Sequence, residues 1–292
     1  MRKETCLPAL ALYIAGSSSE KFKVQPCTTP SSPSGLVLKE FFAGHGVISS
    51  GWRQAGEVAL EEVELYEDPH RQTGRRESHD LANSIVQAQV MKEVDNDVFN
   101  VEWIACPCTT YCDWNLQNGG TRTFQQPMGE PTEKEAMGNT LSNFGASLFE
   151  RALRRGHFPI AESSGLSGRY PKQWHLPAWQ RILQRPDVDF LEIDMCGYGL
   201  APADQQDGRH FYRHRTGLAF PRHSGFRTAL FRLCPGLSPT HHHVPLKGGC
   251  DTLHRSGGLR PAVCPGSGAS LAIPLDSGGE GLQFRHRSKL EG

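Results

Sequence analysis

The chain has 292 residues, with 31 Lys and Arg against 31 Asp and Glu, and nine cysteines. That length suffices for one α/β domain with tails, and a formal net charge of zero excludes a protein that coats nucleic acid by bulk charge. No apolar run approaches the ~18 residues needed to cross a bilayer, and an odd number of cysteines without paired spacing argues for a reduced, intracellular protein.

The charge is unevenly spread. Glu57 to Glu102 holds twelve acids against four Lys and Arg, whereas Leu200 to Cys250 holds seven Lys and Arg against two acids. The second half can face a polyanion that the first half would repel.

Residues 1–35 carry few core-forming side chains outside Leu7–Ala15. Arg2 and Lys3 ahead of that apolar run read as a short targeting signal, but Glu4 and Pro8 favour a disordered leader. TTPSSPSG, from Thr28 to Gly35, is linker chemistry.

The domain spans residues 36–249 and opens on LVLKEFFAGHGVISSGW, Leu36 to Trp52. Leu36–Phe42 reads as a buried strand, Ala43–Gly46 as a glycine-rich turn, and Val47–Gln54 as a helix stopped near Gly56. Such a turn lets a ligand approach backbone N–H groups at a helix start, although a strand, turn and helix without ligand has the same pattern. Val58 to Glu67 reads as a second strand. An acid at its end, Glu67 ahead of the turn-forming Asp68-Pro69, suits a ribose hydroxyl pair or is a solvated strand-end carboxylate. Asp80 either faces a ligand or caps a helix Leu81–Val94, whose stripe is Ile85, Val86, Val90 and Val94.

A strand at Val101–Ala105 leads into Cys106-Pro107-Cys108-Thr109-Thr110-Tyr111-Cys112. Pro107 stiffens the turn, and a thiol at the carboxyl end of a central strand is placed for nucleophilic attack. The same cysteines also fit inert buried thiols, or a metal set lacking its fourth ligand. Asp113 to Glu130, with Arg122, reads as a loop that closes over a ligand or as a mobile surface loop. Thr132 and Glu135 form a capping box for a long helix with apolar Met137, Leu141, Phe144 and Leu148, ended by Gly156. Phe158–Glu162 reads as a strand with Glu162 at its mouth. Asp187–Asp194 and Thr228–Leu233 read as two more. Cys234, His241, His243 and Cys250 have spacing that a tetrahedral zinc can use, or are thiols and basic loop histidines without metal. Residues 250–292 are rich in Gly, Ser and Pro and read as a disordered tail.

Taken in order, Phe42–Gly46, Pro107–Cys108 and Glu162 resemble the cytosine-5 DNA methyltransferase family. Leu166 to Trp179 resembles a segment of its short, virus- or mobile-element-like members. The resemblance implies a Rossmann-like, S-adenosylmethionine-dependent methyltransferase fold, a mostly parallel sheet flanked by helices. It implies cofactor contacts at Phe42, Ala43, Gly44, His45, Gly46, Glu67, Asp80 and Pro107. It assigns the nucleophile to Cys108, the base-holding acid to Glu162, and contacts to base, phosphate or thiolate to Arg213 and Arg215. The implied partner is DNA, or alternatively RNA, in an intracellular and, in a eukaryote, nuclear setting. Cys106 stands where the family has a second Pro, and Ser163 where it has Asn. Those departures, and the short interval from Thr216 to Cys250 with no room for a sequence-reading domain, leave two alternatives open. One is a catalytically degenerate nucleic-acid-binding domain, and the other a methyltransferase for RNA or a small molecule.

Overall fold

The computed structural model describes residues 35–244, apart from 70, 114, 116, 117, 199–208, 213, 223 and 232. In chain order these form β1 (Val37–Phe41), α1 (Val47–Gln54), β2 (Val58–Ala59), β3 (Tyr66–Asp68), β4 (Thr73–Arg75), α2 (Ser84–Asp95) and β5 (Val101–Ile104). They continue with α3 (Glu133–Arg155), β6 (Phe158–Ser164), α4 (Pro177–Leu183), β7 (Val188–Asp194), β8 (His210–Tyr212), β9 (Arg215–Pro221), α5 (Phe226–Leu230) and β10 (His242–Val244).

Six strands make one sheet in the order β2-β1-β5-β6-β9-β7. β2, β1, β5 and β6 run parallel, and β9 is inserted antiparallel between β6 and β7. This is a Rossmann-like α/β architecture, a mostly parallel sheet with helices on both faces. Parallel strands covered on both sides read as nearly continuous apolar runs, which is why β5 is buried at all four residues.

One face of the sheet packs Phe41, Ile104 and Ala161 against Val90 and Val94 of α2, Phe144, Leu148 and Phe149 of α3, and Trp179 and Ile182 of α4. The other packs Leu38, Trp103, Ile160 and Leu218 against Ile48 and Trp52 of α1 and Phe226 and Leu230 of α5. Each large side chain buried this way contributes about 1.5–3 kcal/mol. Within the segment Leu166 to Trp179, Trp174, Leu176 and Trp179 are fully buried, and the Trp174 indole N–H donates to the Ser164 carbonyl at 2.7 Å. That stretch packs the core beside β6.

Local signals set several boundaries. Thr132 Oγ1 accepts from the Glu135 N–H at 3.3 Å, and Gly156 ends α3 at φ 77°. Elsewhere the sequence reading needs correction. α2 begins at Ser84 with the Asn83 side chain as its cap, so Asp80 does not cap it. Ile85 is 77 % exposed and Met137 47 %, so the predicted stripes are narrower than the periodicity suggests. Residues 226–230, expected within or next to a last strand, form a helix. Gly225 caps it in the left-handed region, and Phe226 and Leu230, one turn apart, bury the same face. The antiparallel strand is instead β9, one element earlier, whose five central residues are all buried.

Candidate active site

The register of the parallel strands puts the expected elements along one rim. Phe41 is opposite Ile104, and Ile104 is opposite Ala161. The turn after β1, the loop after β5 and Glu162 in β6 therefore lie at the carboxyl ends of three neighbouring strands, where open α/β sheets bind ligands.

The turn after β1 is built for close backbone approach. Phe42, Gly44 and Gly46 all have positive φ, at 58°, 55° and 61°. A bulky residue such as Phe42 in that region is strained, and such strain persists only where surrounding contacts enforce it. Here the Phe42 and Ala43 N–H groups both reach the Val63 carbonyl, at 2.9 and 3.3 Å. A Cβ at Gly44 would meet nothing within 4 Å, so the space over that backbone is open to a ligand, and His45 beside it is exposed. Beneath the turn, buried Glu40 accepts the Ser49 N–H at 2.7 Å and anchors the first turn of α1. Burial drives the Glu40 carboxyl up to about 7.

The acid facing this turn is Glu64. Its carboxylate accepts the Gly44 N–H at 2.9 Å. The expected strand Val58–Glu67 is laddered only at Val58–Ala59, with one further bridge from Val63 to Phe41. Glu67 then falls on β3 in a separate two-stranded ribbon, its exposed side chain lying against Gly74. Asp80 accepts the Ala82 N–H at 2.9 Å and the Arg75 guanidinium at 2.7 Å, a turn-forming role.

The three loop thiols separate by environment. Cys106 is 4 % exposed with its Sγ against α3 at Gly145, and burial raises its pKa so far that it stays a neutral thiol. Cys112 is partly exposed and donates to the Thr109 carbonyl at 3.4 Å. Cys108, directly after Pro107, is partly exposed and opens a turn closed by the Tyr111 N–H at 2.8 Å. Cys108 and Cys112 are thus reachable from solvent, and Cys106 is not.

Arg122 fixes this loop, a role the sequence does not reveal. Its buried guanidinium donates to the Thr110 carbonyl at 2.9 Å, the Pro127 carbonyl at 2.7 Å and Asn139 Oδ1 at 2.8 Å, and lies 4.1 Å over the Tyr111 ring. Glu135, 3.8 Å from it, accepts from the Thr121 hydroxyl and from Asn115 Nδ2. The described part of Asp113–Glu130 is thus stapled to α3 through Arg122 and Thr121, where the sequence suggested a loop that closes over a ligand or a mobile surface loop.

Glu162 is partly accessible although its carboxyl is surrounded by protein, and it accepts the Trp103 indole N–H at 3.1 Å. Burial raises its pKa, opposed by that hydrogen bond. The next residue, Ser163, is buried with no hydrogen-bond partner for its hydroxyl. Arg215 begins β9, and its guanidinium is engaged by Asp194 at 3.0 and 3.1 Å. Arg213 lies outside the described residues. Arg227 likewise pairs with Asp189 at 2.6 Å, so part of the basic excess after Leu200 is neutralised within the fold.

Cys234, His241 and His243 converge as their spacing allowed, but the fourth group beside them is Cys196; Cys250 lies outside the described residues.

No protein-family model matches this sequence, and no curated protein sequence does. Among solved structures, the chain is similar to the S. pombe Dnmt2 methyltransferase, at 10 % identity and a TM-score of 0.37, over 64 % of this chain and 49 % of that one. It is also similar to the Entamoeba histolytica methyltransferase EhMeth, at 12 % identity and a TM-score of 0.38, over 70 % of this chain and 56 % of that one. The matched part spans about half the length of each.

Proposed function

We propose that this chain is an S-adenosylmethionine-dependent methyltransferase that acts at carbon 5 of cytosine in DNA. The observation that carries the reading is the strand register, which sets the open glycine turn, the loop of Pro107–Cys108 and Glu162 side by side on one rim. The resemblance in sequence order, from Phe42–Gly46 through Pro107–Cys108 to Glu162, gives those positions their roles.

The open space over Gly44, flanked by Phe42, Ala43, His45 and Gly46, is the cofactor site of this reading, with Glu64, which accepts the Gly44 N–H, taking the ribose role expected of Glu67. Bound there, S-adenosylmethionine supplies an electrophilic methyl group. The target base must leave the duplex to reach the rim. Cys108 adds as thiolate to carbon 6 while Glu162 gives a proton to the ring nitrogen beside the exocyclic amine. Carbon 5 thereby becomes nucleophilic and accepts the methyl. Loss of the carbon-5 proton to solvent base, with return of the ring-nitrogen proton to Glu162, re-forms the double bond and expels the thiolate. Burial raises the Glu162 pKa, a shift in the direction that favours the protonated carboxyl this donation uses.

The test is incubation with S-adenosylmethionine and DNA containing 5-fluorocytosine, in which the final proton loss is blocked. A denaturation-resistant adduct is expected, absent in Cys108→Ala and at least tenfold slower to form in Glu162→Gln. An adduct retained by Cys108→Ala refutes the nucleophile. An adduct with RNA alone refutes the DNA assignment. Absence of both adduct and cofactor binding favours a non-catalytic nucleic-acid-binding domain, a reading in keeping with Arg215 engaged by Asp194 and the unpartnered Ser163 hydroxyl.

A further inference from the structure

Cys196, Cys234, His241 and His243 come from three places in the chain. Cys196 sits in the short helical turn Met195–Tyr198 after β7, Cys234 in the segment after α5, and the two histidines at either side of His242 in or next to β10. Side chains two apart on an extended segment share a face, and both histidines present Nε2. The four ligand-type atoms lie within 4.8 Å of one another.

Their spacing is that of a tetrahedron around one ion. Bonds of ~2.3 Å to sulfur and ~2.05 Å to nitrogen give tetrahedral edges of ~3.3 Å between two nitrogens and ~3.6 Å between sulfur and nitrogen. The structure has 3.2 Å between the Nε2 atoms of His241 and His243, and 3.5 and 3.2 Å from Cys234 Sγ to each of them. The Cys196 Sγ lies within 4.8 Å of each of these three atoms.

Hydrogen bonding alone explains this geometry poorly. Each imidazole Nε2 has one in-plane lobe, either N–H or lone pair, and serves one partner well. Here each Nε2 has two partners at close range. A cation at the centre satisfies all of them at once.

The surroundings are those of a thiolate site. The Gly236 N–H donates to Cys234 Sγ at 3.3 Å, and the Cys234 N–H donates to Asp194 at 2.9 Å. Phe211 stacks on the His241 ring at 4.6 Å, covering one side. Outer contacts of this kind orient metal ligands and hold sulfur in its anionic form.

We propose that these four residues bind a structural zinc ion. Two thiolates and two imidazoles complete a tetrahedral shell and leave no position for substrate. The ion ties the end of β7 to the β8–β10 ribbon, which pairs over three residues per strand and is too small to be stable by itself. Leu233 is half exposed and Leu237 is 75 % exposed, so this segment has little apolar burial to hold it. The staple therefore supplies the tie that packing does not, beside the Asp194–Arg215 pair at the rim.

The full chain, purified without added metal, is expected to retain about one zinc per chain by inductively coupled plasma mass spectrometry. Replacement by cobalt should give the intense visible bands of tetrahedral coordination with thiolate charge transfer. Cys196→Ser and His243→Ala should each lower retained zinc at least tenfold, whereas Cys108→Ser and Cys250→Ser should keep it. The wild-type cobalt spectrum decides the matter even where a ligand variant fails to fold. A chain that holds no zinc and gives no tetrahedral cobalt spectrum overturns the site. Loss of zinc in Cys250→Ser with retention in Cys196→Ser overturns the ligand set. Neither readout depends on methyl transfer.

Discussion

Glu40 links the stability of the fold to pH at the base of the glycine turn. It is 3 % exposed, and its carboxylate is held by the Ser49 N–H in the first turn of α1. Burial, with a smaller contribution from Glu62, raises its pKa from 4.5 to about 7 against that hydrogen bond. A carboxyl whose folded pKa is raised binds its proton more tightly in the folded state. Its contribution is thus fully present below the unfolded pKa and is lost as pH rises through the folded one. A shift of this size corresponds to about 3 kcal/mol lost between pH 4.5 and 8. Glu40→Gln keeps an acceptor for the Ser49 N–H and removes the titration. Urea unfolding followed by tryptophan fluorescence, at constant ionic strength from pH 4.5 to 8, measures the difference between the two proteins. Titrations common to both cancel in that difference. The wild type should lose about 3 kcal/mol more than the variant over this range, a midpoint difference of about 1 to 1.5 M urea. Parallel pH profiles would show that Glu40 ionises in the folded protein as it does in the unfolded one, and the account of its burial would fail.

Two further substitutions probe the loop that carries Cys108. Arg122→Met removes a buried guanidinium from five oxygen acceptors and leaves Glu135 without its cation; a cost of about 3–5 kcal/mol is expected, with new protease cleavage between residues 118 and 131. A loss below about 1 kcal/mol in equilibrium unfolding would contradict the stapled loop. Gly145→Ala gains about 1 kcal/mol of helix propensity, but its Cβ would press on Cys106 Sγ and come within 3.3 Å of Ile104 Cγ2. A net loss of about 1–2 kcal/mol is expected, relieved when Cys106→Ala is added. Equal effects of Gly145→Ala in both backgrounds would remove that contact from the explanation.

The parts of the fold legible in the sequence are those that short-range chemistry specifies. Val47–Gln54 appears as expected because a glycine turn starts it and its apolar residues lie one turn apart. The long helix from Glu133 to Arg155 is bounded by a Thr that accepts a backbone N–H and a Gly at positive φ. The order of glycine turn, Pro-Cys and Glu along the chain likewise survives as an order along the rim, because β1, β5 and β6 pair in parallel as neighbours in that sequence.

What only the tertiary structure decided concerns partners brought from a distance. Glu64 rather than Glu67 meets the glycine turn because the chain stays beside β1 as far as Val63 and joins a separate ribbon before Glu67. The run Glu61 to Asp68 carries too many similar acids for local pattern to choose between them. Residues 226–230 become helix because burial of Phe226 and Leu230 against the sheet outweighs the weak propensity of five residues. Arg122 becomes an internal tie, and Cys196, from a turn far back in the chain, takes the fourth place beside the Cys234, His241 and His243 that spacing had already grouped. Backbone conformation is set by neighbours in the chain. The choice of which thiol, carboxylate or guanidinium faces which other is made by strand register and helix packing, and a linear pattern of residue types does not encode those directly.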